Sequence, residues 1–279
     1  MSRIAELKKT LDEYEAAEIT AGALEDISGL RMQSIRAQFE KNRSFYEEIR
    51  ALYGVVQAQG KRIGGDQQKA KKPRELFVAI TSNKRFYGSL IRDIIQALSA
   101  RLAQSAEGSC LIVGSVGWQY FEQFGARKGS RQMVLADDTP TPQEFETLLR
   151  HFSGFDRIYV FYPKFINPFR QDVGVEDITE SPAVGAVAAS TAEMYLFEPE
   201  VSLILAFFDT QVRRVLFGRV LLEAELSRTA ARLIKMEEAE GRAQKLVSEQ
   251  RTRIRRETAA ASNTQLLETF AGFTQWSHR

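Results

Sequence analysis

The sequence predicts an α/β protein in which two long terminal helices form an antiparallel coiled coil around an inserted α/β domain. Two observations support this prediction, one on the ends of the chain and one on its middle. Both ends of the chain are long, free of proline, and carry apolar residues spaced by three and four. The middle of the chain alternates short apolar runs with helical patterns, which is typical of a largely parallel sheet covered by helices. The coiled coil is expected to project from the inserted domain as a rod.

The composition limits the class of protein. The chain has 279 residues, of which 44% are hydrophobic and 10% aromatic, so it can bury a core and is not generally disordered. A net charge of +2 argues against a protein that mainly coats nucleic acid, and we expect no nucleic-acid partner. The single cysteine excludes an internal disulfide and a cysteine-based zinc site. That residue, Cys110, begins the run CLIVG and is predicted to be a small core residue.

The N-terminal segment, residues 1–58, is predicted to be one helix. Its stripe is narrow and of the coiled-coil type. The apolar positions are Ile4, Leu7, Leu11, Tyr14, Ala17, Ala21 and Leu24, followed by Ile35, Phe39, Tyr46, Ile49 and Val56. Residues 59–74 are rich in glycine, glutamine and lysine, which predicts an exposed linker.

The middle segment, residues 75–197, is predicted to be the α/β domain. Four apolar runs are candidate strands: 76–80, 110–114, 131–135 and 157–162. Before one intervening helix, Thr141 is placed to cap the helix, with Pro142 at its first position and Glu144 three residues on. Gly114 and Gly117 in VGSVGW predict a tight turn between a strand and a helix. A dinucleotide site would need a third glycine and an acid further along.

The C-terminal segment, residues 198–279, is predicted to be a helix of roughly 110 Å at 1.5 Å per residue. Its first third is apolar enough to pack. The stretch EEAEGRAQKLVSEQRTRIRRET, residues 237–258, carries charge nearly all the way round and has little to bury as a core helix. Its sparse apolar residues, Leu246, Val247 and Ile254, are expected to meet the N-terminal helix.

The chain shows no pattern for catalysis. Neither His151 nor His278 stands in a metal-ligand spacing, and both are expected at the surface. There is no GxxxxGK[ST] phosphate loop and no GxSxG nucleophile elbow. We therefore expect no catalytic residue, no metal site and no cofactor. The start lacks a signal-peptide pattern, and the longest apolar run, VSLILAFF, is far short of the roughly 20 residues that span a bilayer. We expect a cytoplasmic protein that meets the membrane only through a partner.

Five short motifs occur in a fixed order. They are ITSNKRFYGSLI (80–91), VGSVG (113–117), DRIYVFYPKFIN (156–167), MYLFEPE (194–200) and AELSRTAARLIKMEEA (224–239). In the same order they resemble ITSDRGLCGGLN, IGSKG, a strand with KFIN, YLYEPD and SEQAARMVAM of the gamma subunit of F-type ATP synthases, the central rotor shaft. The resemblance covers nearly the whole chain apart from the N-terminal helix. The chain is identified as a divergent member of that family.

The departures from the family pattern are specific. The family's RGLCGG is KRFYGS here, and NTQKITKAMEMVAAAK of the first helix is replaced by a sequence closer to AEITAGALEDISGLRM (17–32). KARQASITQELTEI is matched only by RRETAAASNTQLLETF (255–270). These differences leave open whether the chain serves the main ATP synthase or a second, divergent F-type ATPase.

The resemblance implies a Rossmann-like inserted domain and a rotor function. The chain would couple ion flow through the membrane ring to ATP synthesis or hydrolysis in the catalytic hexamer. Its implied partners are the alpha and beta subunits of that hexamer, the epsilon subunit and the membrane c-ring. The implied location is the cytoplasmic face of the cell membrane, peripheral through the complex.

The resemblance also implies residue roles. Four arginines of the C-terminal helix would face acidic loops of the catalytic subunits: Arg251, Arg253, Arg255 and Arg256. Phe270, Phe273 and Trp276 would form a tip held in an apolar bearing. Tyr195 and Glu198 would lie near the foot that meets the rotor ring.

Other interpretations remain at this point. The arginines are also compatible with a solvated helix face. The whole chain is compatible with a non-rotary coiled-coil adaptor or assembly protein that has an α/β head. A weaker alternative is a small-ligand site at the turn of Gly114 and Gly117.

Overall fold

The computed structural model describes the backbone of residues 3–63, 74–105, 108–125, 129–179 and 201–276, and most of their side chains. Side chains are described for these ranges except 42–44, 46–63, 201–210 and 272–276. The chain divides into two compact units. Unit 1 comprises Met1–Ser28 with Arg232–Arg279, and unit 2 comprises Gly29–Ala231.

Two long helices and a mixed α/β segment follow one another along the chain. The elements are α1 (Arg3–Ile63), β1 (Glu75–Ile80), α2 (Leu90–Gln104), β2 (Ser109–Val113), α3 (Ser115–Gln123), β3 (Arg131–Met133), α4 (Pro142–Phe152), β4 (Arg157–Asn167), β5 (Arg170–Asp177) and α5 (Val201–Trp276).

Helix α1 ends at Ile63, five residues inside the stretch 59–74 that we expected to be linker. A single glycine such as Gly60 costs a helix only about 1 kcal/mol relative to alanine, which is too little to stop it. The sequence then reaches Gly64 and Gly65, and glycine is the usual residue just past a helix end.

The sheet of unit 2 has the strand order β3-β2-β1-β4-β5. The first four strands pair in parallel, and β5 pairs antiparallel with β4. The largely parallel sheet predicted from the apolar runs is therefore confirmed. Strand β5, RQDVGVED, was not predicted, because five of its eight residues are charged or amide-bearing and it lies at an edge of the sheet.

Each face of the sheet is covered by two helices. One face, with Leu76, Val78 and Ile80 of β1, packs against α4 and α5. The other face, with Phe77 and Ala79, packs against α2 and α3. Cys110 is buried on this second face, as predicted, and burial raises the pKa of its thiol to about 12.

Helix α5 therefore forms, together with α4, the helical layer on one face of the sheet. Its buried apolar residues on this face are Val212, Leu216, Phe217, Val220, Leu221 and Ala224. Phe217 is fully buried and meets the Phe152 ring edge-on, with 4.8 Å between ring centroids. Unit 2 consequently extends to Ala231, beyond the range 75–197 expected for the inserted domain, because the sheet needs these side chains to cover its face.

The start of α4 is fixed by the predicted capping box. The backbone N–H of Glu144 donates to Thr141 Oγ1, and the carboxylate of Glu144 accepts from the backbone N–H of Thr141 at 2.8 Å. Pro142 stands in the first turn, where its missing N–H costs nothing.

Unit 1 contains an antiparallel pair of helical segments. Arg3 forms an ion pair with Glu257 at 3.0 Å, and Gln250 donates to the Leu7 carbonyl at 2.9 Å. Buried or half-buried positions alternate by three and four, which is the spacing of a narrow helix–helix seam. On α1 this series comprises 4, 7, 11, 14, 18, 21, 25 and 28, and on α5 it comprises 236, 240, 243, 247, 250, 254 and 257; a few half-buried positions, such as 10, 15 and 24, flank it. Val247 and Ile254 lie in this seam as expected, but Leu246 does not and is 41% exposed.

Strand β5 contains a glycine that makes room for a neighbouring ring. A Cβ atom on Gly174 would lie 2.8 Å from ring atoms of Tyr162, whereas a Cβ on Gly154 would meet no atom within 4 Å. We expect Gly174→Ala to lower the free energy of unfolding by about 1–3 kcal/mol, because the Tyr162 ring must move. Gly154→Ala is the matched control and should change it far less. Chemical denaturation of both variants checks this, and equal effects would refute the steric argument.

Candidate coupling residues

The carboxyl ends of the parallel strands carry a buried polar network centred on Asp138. Ser82 Oγ and the backbone N–H of Asn83 donate to Asp138 Oδ1 at 2.6 and 2.9 Å. Tyr87 OH donates to Asp138 Oδ2 at 2.5 Å. Parallel strands end at the same edge, so the loop after β1 and the loop between β3 and α4 meet there. One carboxylate thereby ties both loops together.

These hydrogen bonds control the protonation of Asp138. Burial alone would raise the pKa of its carboxyl group. The donors from Ser82 and Tyr87 and the positive charge of Arg228 outweigh burial and lower the pKa below its ordinary value of 3.8. Asp138 is therefore an ionised acceptor at neutral pH.

Arg228 of α5 reaches the same edge of the sheet. Its side chain is buried, with the residue 2% exposed, and donates from Nη1 to the Thr81 carbonyl at 3.1 Å. Nη2 donates to the Asp138 carbonyl at 3.0 Å. Open α/β sheets commonly bind their ligands outside the carboxyl ends of the strands. Here the chain itself fills that position with a guanidinium group.

The two glycines of VGSVG form the tight turn that the sequence predicts. Gly114 has φ +111° and directly precedes α3, so a side chain there would be strained. A Cβ on Gly114 would lie 2.6 Å from Thr81 Oγ1, and one on Gly117 would lie 2.2 Å from the same atom. The Thr81 side chain occupies the space next to both glycines. This space is therefore not open to a small ligand.

Further polar links fasten α5 within unit 2. Arg31 of α1 donates to Glu225 at 2.7 Å and to Thr139 at 3.0 Å. Arg214 forms a two-pronged ion pair with Glu146 at 2.5 and 2.9 Å.

Another link joins α5 to the β4–β5 hairpin. Arg219 pairs with Glu176, and Tyr162 OH lies 3.3 Å from the carboxylate of Glu223. Burial raises the pKa of Glu223, while Arg219 opposes this. Helix α5 is thus bonded both to the β4–β5 hairpin, through Arg219, and to the carboxyl ends of the parallel strands, through Arg228.

The loop between β1 and α2 presents an aromatic side chain to solvent. Phe86 has φ 76° and is 63% exposed, a conformation that costs a non-glycine residue about 1–2 kcal/mol. Beside it, Lys84 forms an ion pair with Asp137 at 2.6 Å. A cleft of about 240 Å³ separates this loop from α3.

The predicted partner-contact arginines all lie on the exposed side of α5 in unit 1. Arg251 forms an ion pair with Glu15 at 2.8 Å, so part of its charge serves the helix pair. Arg253, Arg255 and Arg256 are exposed. No described contact assigns these three a structural role within the helix pair, and they stay predictions as partner contacts.

Beyond Glu257, α5 continues without a seam. All residues from 258 to 271 are exposed, among them Leu266, Leu267 and Phe270. Phe270 of the predicted tip is 67% exposed, while the side chains of Phe273 and Trp276 lie outside the described residues. Tyr195 and Glu198, the predicted foot, also lie outside them.

His151 is at the surface, as predicted, and His278 is not among the described residues. Within the described ranges, no three histidine, cysteine, aspartate or glutamate side chains come together to hold a metal ion. None of the described helices has a stretch both long enough and apolar enough to cross a membrane.

Sequence reasoning missed the two central residues of the network, Arg228 and Asp138. A signal for Arg228 was present. Phe217, Leu221, Ala224 and Ala231 mark the apolar stripe of α5, and Arg228 stands four residues after Ala224 in the same rhythm. An arginine within an apolar stripe needs a buried partner. Asp138 carries no such signal, since ADDTPTP has the composition of any loop.

A comparison with known families decides the identity. A family model described as ATP synthase matches residues 3–274. The chain belongs to the ATP synthase family. Curated relatives include the ATP synthase gamma chain of an Exiguobacterium strain, 24% identical over 98% of each chain. The ATP synthase gamma chain of Delftia acidovorans is 22% identical and covers 96% of this chain and 97% of its own. The resemblance to the gamma subunit is therefore confirmed.

Solved structures share the fold. The central stalk and c-ring structure of the Tetrahymena thermophila mitochondrial ATP synthase contains a chain with a TM-score of 0.58 and 18% identity. That match covers 79% of this chain and 99% of the other. A chain of the Euglena gracilis mitochondrial ATP synthase gives a TM-score of 0.56 at 16% identity, with 88% and 94% covered.

The Asp138 network predicts a pH dependence of stability. A lowered pKa means that the stabilisation is fully present above the ordinary value of 3.8 and is lost as the pH falls below it. We expect Asp138→Asn to lower the free energy of unfolding at neutral pH by about 1–3 kcal/mol and to flatten this acid dependence. Asp172→Asn, at an exposed ion pair, is the control. Denaturation curves from pH 7 to pH 3 test this, and a parallel acid slope in wild type and Asp138→Asn would contradict it.

Proposed function

We propose that the chain is the gamma subunit of an F-type ATP synthase, the central rotor stalk. It couples ion flow through the membrane ring to ATP synthesis or hydrolysis in the catalytic hexamer. The main support is the match to the family over residues 3–274, together with gamma-chain relatives that align over nearly the full length of both chains.

The architecture supports a rotor. One continuous helix, α5, is a core layer of unit 2 in its first part and pairs with α1 in unit 1 in its later part. In the proposed assembly, the helix pair is an antiparallel coiled coil and the α/β segment is a Rossmann-like domain. A continuous helix is suited to carry a twist from the catalytic ring to the membrane ring.

The proposed partners are the alpha and beta subunits of the hexamer, the epsilon subunit and the c-ring. A similar solved chain comes from a structure of the central stalk and c-ring of the Tetrahymena thermophila mitochondrial ATP synthase. The chain would lie at the cytoplasmic face of the cell membrane and be held there through the complex. Tyr195 and Glu198 are proposed to lie near the c-ring.

The polar stretch 237–258 suits a surface that turns inside a ring. Its seam residues pack against α1, and the residues on its remaining faces are mostly charged or polar. Charged contacts with acidic loops of the catalytic subunits steer and select a partner without the large apolar burial that would hold it in one place. Arg253, Arg255 and Arg256 are the exposed candidates, and Arg251 shares its charge with Glu15.

The apolar tip suits a bearing. Leu266, Leu267 and Phe270 are 57%, 62% and 67% exposed. Exposed apolar groups of this kind mark a binding surface. We propose that Phe270, Phe273 and Trp276 are held in an apolar collar of the hexamer.

The non-rotary adaptor is not favoured. An adaptor that had merely borrowed the α/β segment would resemble gamma chains over part of its length. The alignment instead covers 98% of both chains for one relative, including both terminal helices.

Reconstitution tests the proposal. The chain is combined with the alpha and beta subunits of the same cell, and with the complete complex in vesicles. We expect a ring complex that hydrolyses ATP, and we expect truncation after Arg256 to reduce coupled ATP synthesis because the tip and its bearing are lost. Removal of residues 277–279 alone is the control. If no ring complex forms, or if the truncated chain supports full coupled synthesis, the rotor proposal fails.

The arginine contacts have their own test. The triple variant Arg253→Gln, Arg255→Gln, Arg256→Gln should bind the hexamer about tenfold more weakly at low salt, and its binding should depend less on salt than that of wild type. Arg92→Gln, an exposed arginine of α2, is the matched control. Titration of hexamer with each variant at two ionic strengths measures the effect. An unchanged salt dependence in the triple variant would assign these arginines to a solvated face.

A further inference from the structure

Arg228 is buried, and burial of its charged guanidinium group is unfavourable because the group loses its hydration. Taking a charge out of water costs several kcal/mol unless hydrogen bonds replace the lost solvation. Arg228 is 2% exposed, and two of its N–H groups donate to main-chain carbonyls of the sheet's carboxyl edge.

The two carbonyls belong to segments that are themselves immobilised. Thr81 directly follows β1, and its own hydroxyl donates to the Val113 carbonyl at the end of β2 at 2.5 Å. Asp138 is held by Ser82, Asn83 and Tyr87. A single side chain of α5 is thereby fastened to the ends of β1 and β2 and to the loop before α4.

The hydrogen bonds of Arg228 are directional, unlike the apolar packing along the same helix. Apolar contacts such as those of Val220 and Phe217 resist separation of helix and sheet, but they have no preferred direction. Hydrogen bonds weaken steeply when their angle is lost, and the guanidinium group offers its donors in a fixed plane. Turning α5 about its own axis would break the bonds of Arg228 while many apolar contacts merely slid.

The other cations that link α5 to unit 2 are in wetter places. Arg214 and Glu146 are each close to half exposed, and the Arg31–Glu225 pair is partly exposed on the arginine side. The Arg219–Glu176 pair is less exposed, at 25% and 20%, but still far more so than Arg228 at 2%. Solvent and salt screen such pairs, so each resists a twist less than a buried bond does.

Two segments that are far apart in the sequence meet at this place in the fold. Arg228 lies in SRTAAR, and Asn83 lies in ITSNKR. Arg228 donates to the main-chain carbonyl of Asp138, and the backbone N–H of Asn83 donates to the Asp138 carboxylate. Asp138 therefore connects α5 to the loop after β1.

We propose that Arg228 is the torsional anchor of the rotor, a positioning residue that stops α5 from turning relative to the sheet when the helix carries torque. This inference rests on the rotor function proposed above. It concerns the transmission of torque, so Arg228 affects the number of ions moved per ATP and leaves the chemistry of ATP hydrolysis unchanged.

The test uses the complete complex in vesicles with three variants of this chain. Arg228→Met keeps the length of the side chain and removes its donors, and Arg228→Lys keeps the charge and can reach one of the two carbonyls. Arg214→Met removes the exposed ion pair on the same helix and is the control. Ion pumping and ATP hydrolysis are measured together, with and without an opposing ion gradient.

Loss of both hydrogen bonds should raise the population of a released helix by about tenfold. We expect Arg228→Met to hydrolyse ATP at the wild-type rate but to pump several-fold fewer ions per ATP against the gradient. Arg228→Lys should lie between Arg228→Met and wild type, and Arg214→Met should match wild type. Angular fluctuation of single rotors should broaden in the same order. A merely structural role would lower the melting temperature and leave both readouts unchanged in the assembled complex.

The outcomes separate this inference from the rotor proposal. If the wild-type chain supports no pumping, the rotor proposal fails. If wild type pumps and Arg228→Met pumps equally well per ATP, the anchor inference fails. If Arg228→Met does not assemble, Arg228→Lys decides, and wild-type coupling and angular width in that variant would overturn the anchor. Equal losses in Arg214→Met and Arg228→Lys would overturn it as well.

Discussion

One buried carboxylate, that of Asp138, organises the carboxyl edge of the sheet. The loop after β1 leaves the sheet, passes Tyr87 and leads into α2, and its backbone N–H groups and hydroxyls need hydrogen-bond acceptors. Asp138 satisfies Ser82, Asn83 and Tyr87 together, and the guanidinium of Arg228 stabilises its charge. The site where many α/β proteins hold a nucleotide is thus closed by residues of the chain itself. At this edge the residues bond α5 to the sheet.

Helix α5 combines two kinds of packing in one continuous element. In unit 2 its apolar stripe is broad and covers a sheet face, and in unit 1 its seam narrows to alternating steps of three and four. A broad stripe fixes a helix against a surface, whereas a narrow seam leaves most of its circumference to solvent or to a partner. The change in stripe width along α5 accounts for the polar stretch 237–258. Among the described residues, the contacts of that stretch with the rest of the chain are made with α1.

Much of the fold could be predicted from the sequence, because the spacing of apolar residues and the residues that cap helices or form turns are local signals. The capping residues Thr141 and Glu144 and the buried strand at Cys110 are examples. What escaped prediction depends on partners far away in the chain. Strand β5 is charged and joins the sheet only because β4 offers its edge. The sequence alone does not distinguish a buried arginine such as Arg228 from a surface arginine. Arg228 is buried because the carbonyls at the carboxyl edge of the sheet accept its hydrogen bonds. Leu246 shows the converse, since an apolar residue one step off the seam is exposed.

The exposed end of α5 also bears on how the protein is made. Residues 258–271 are all exposed, among them the apolar Leu266, Leu267 and Phe270. Exposed apolar side chains promote association between copies of a chain. Under the proposed function, the hexamer would cover this end during assembly, so the supply of its subunits would limit how long newly synthesised copies are exposed to aggregation and proteolysis.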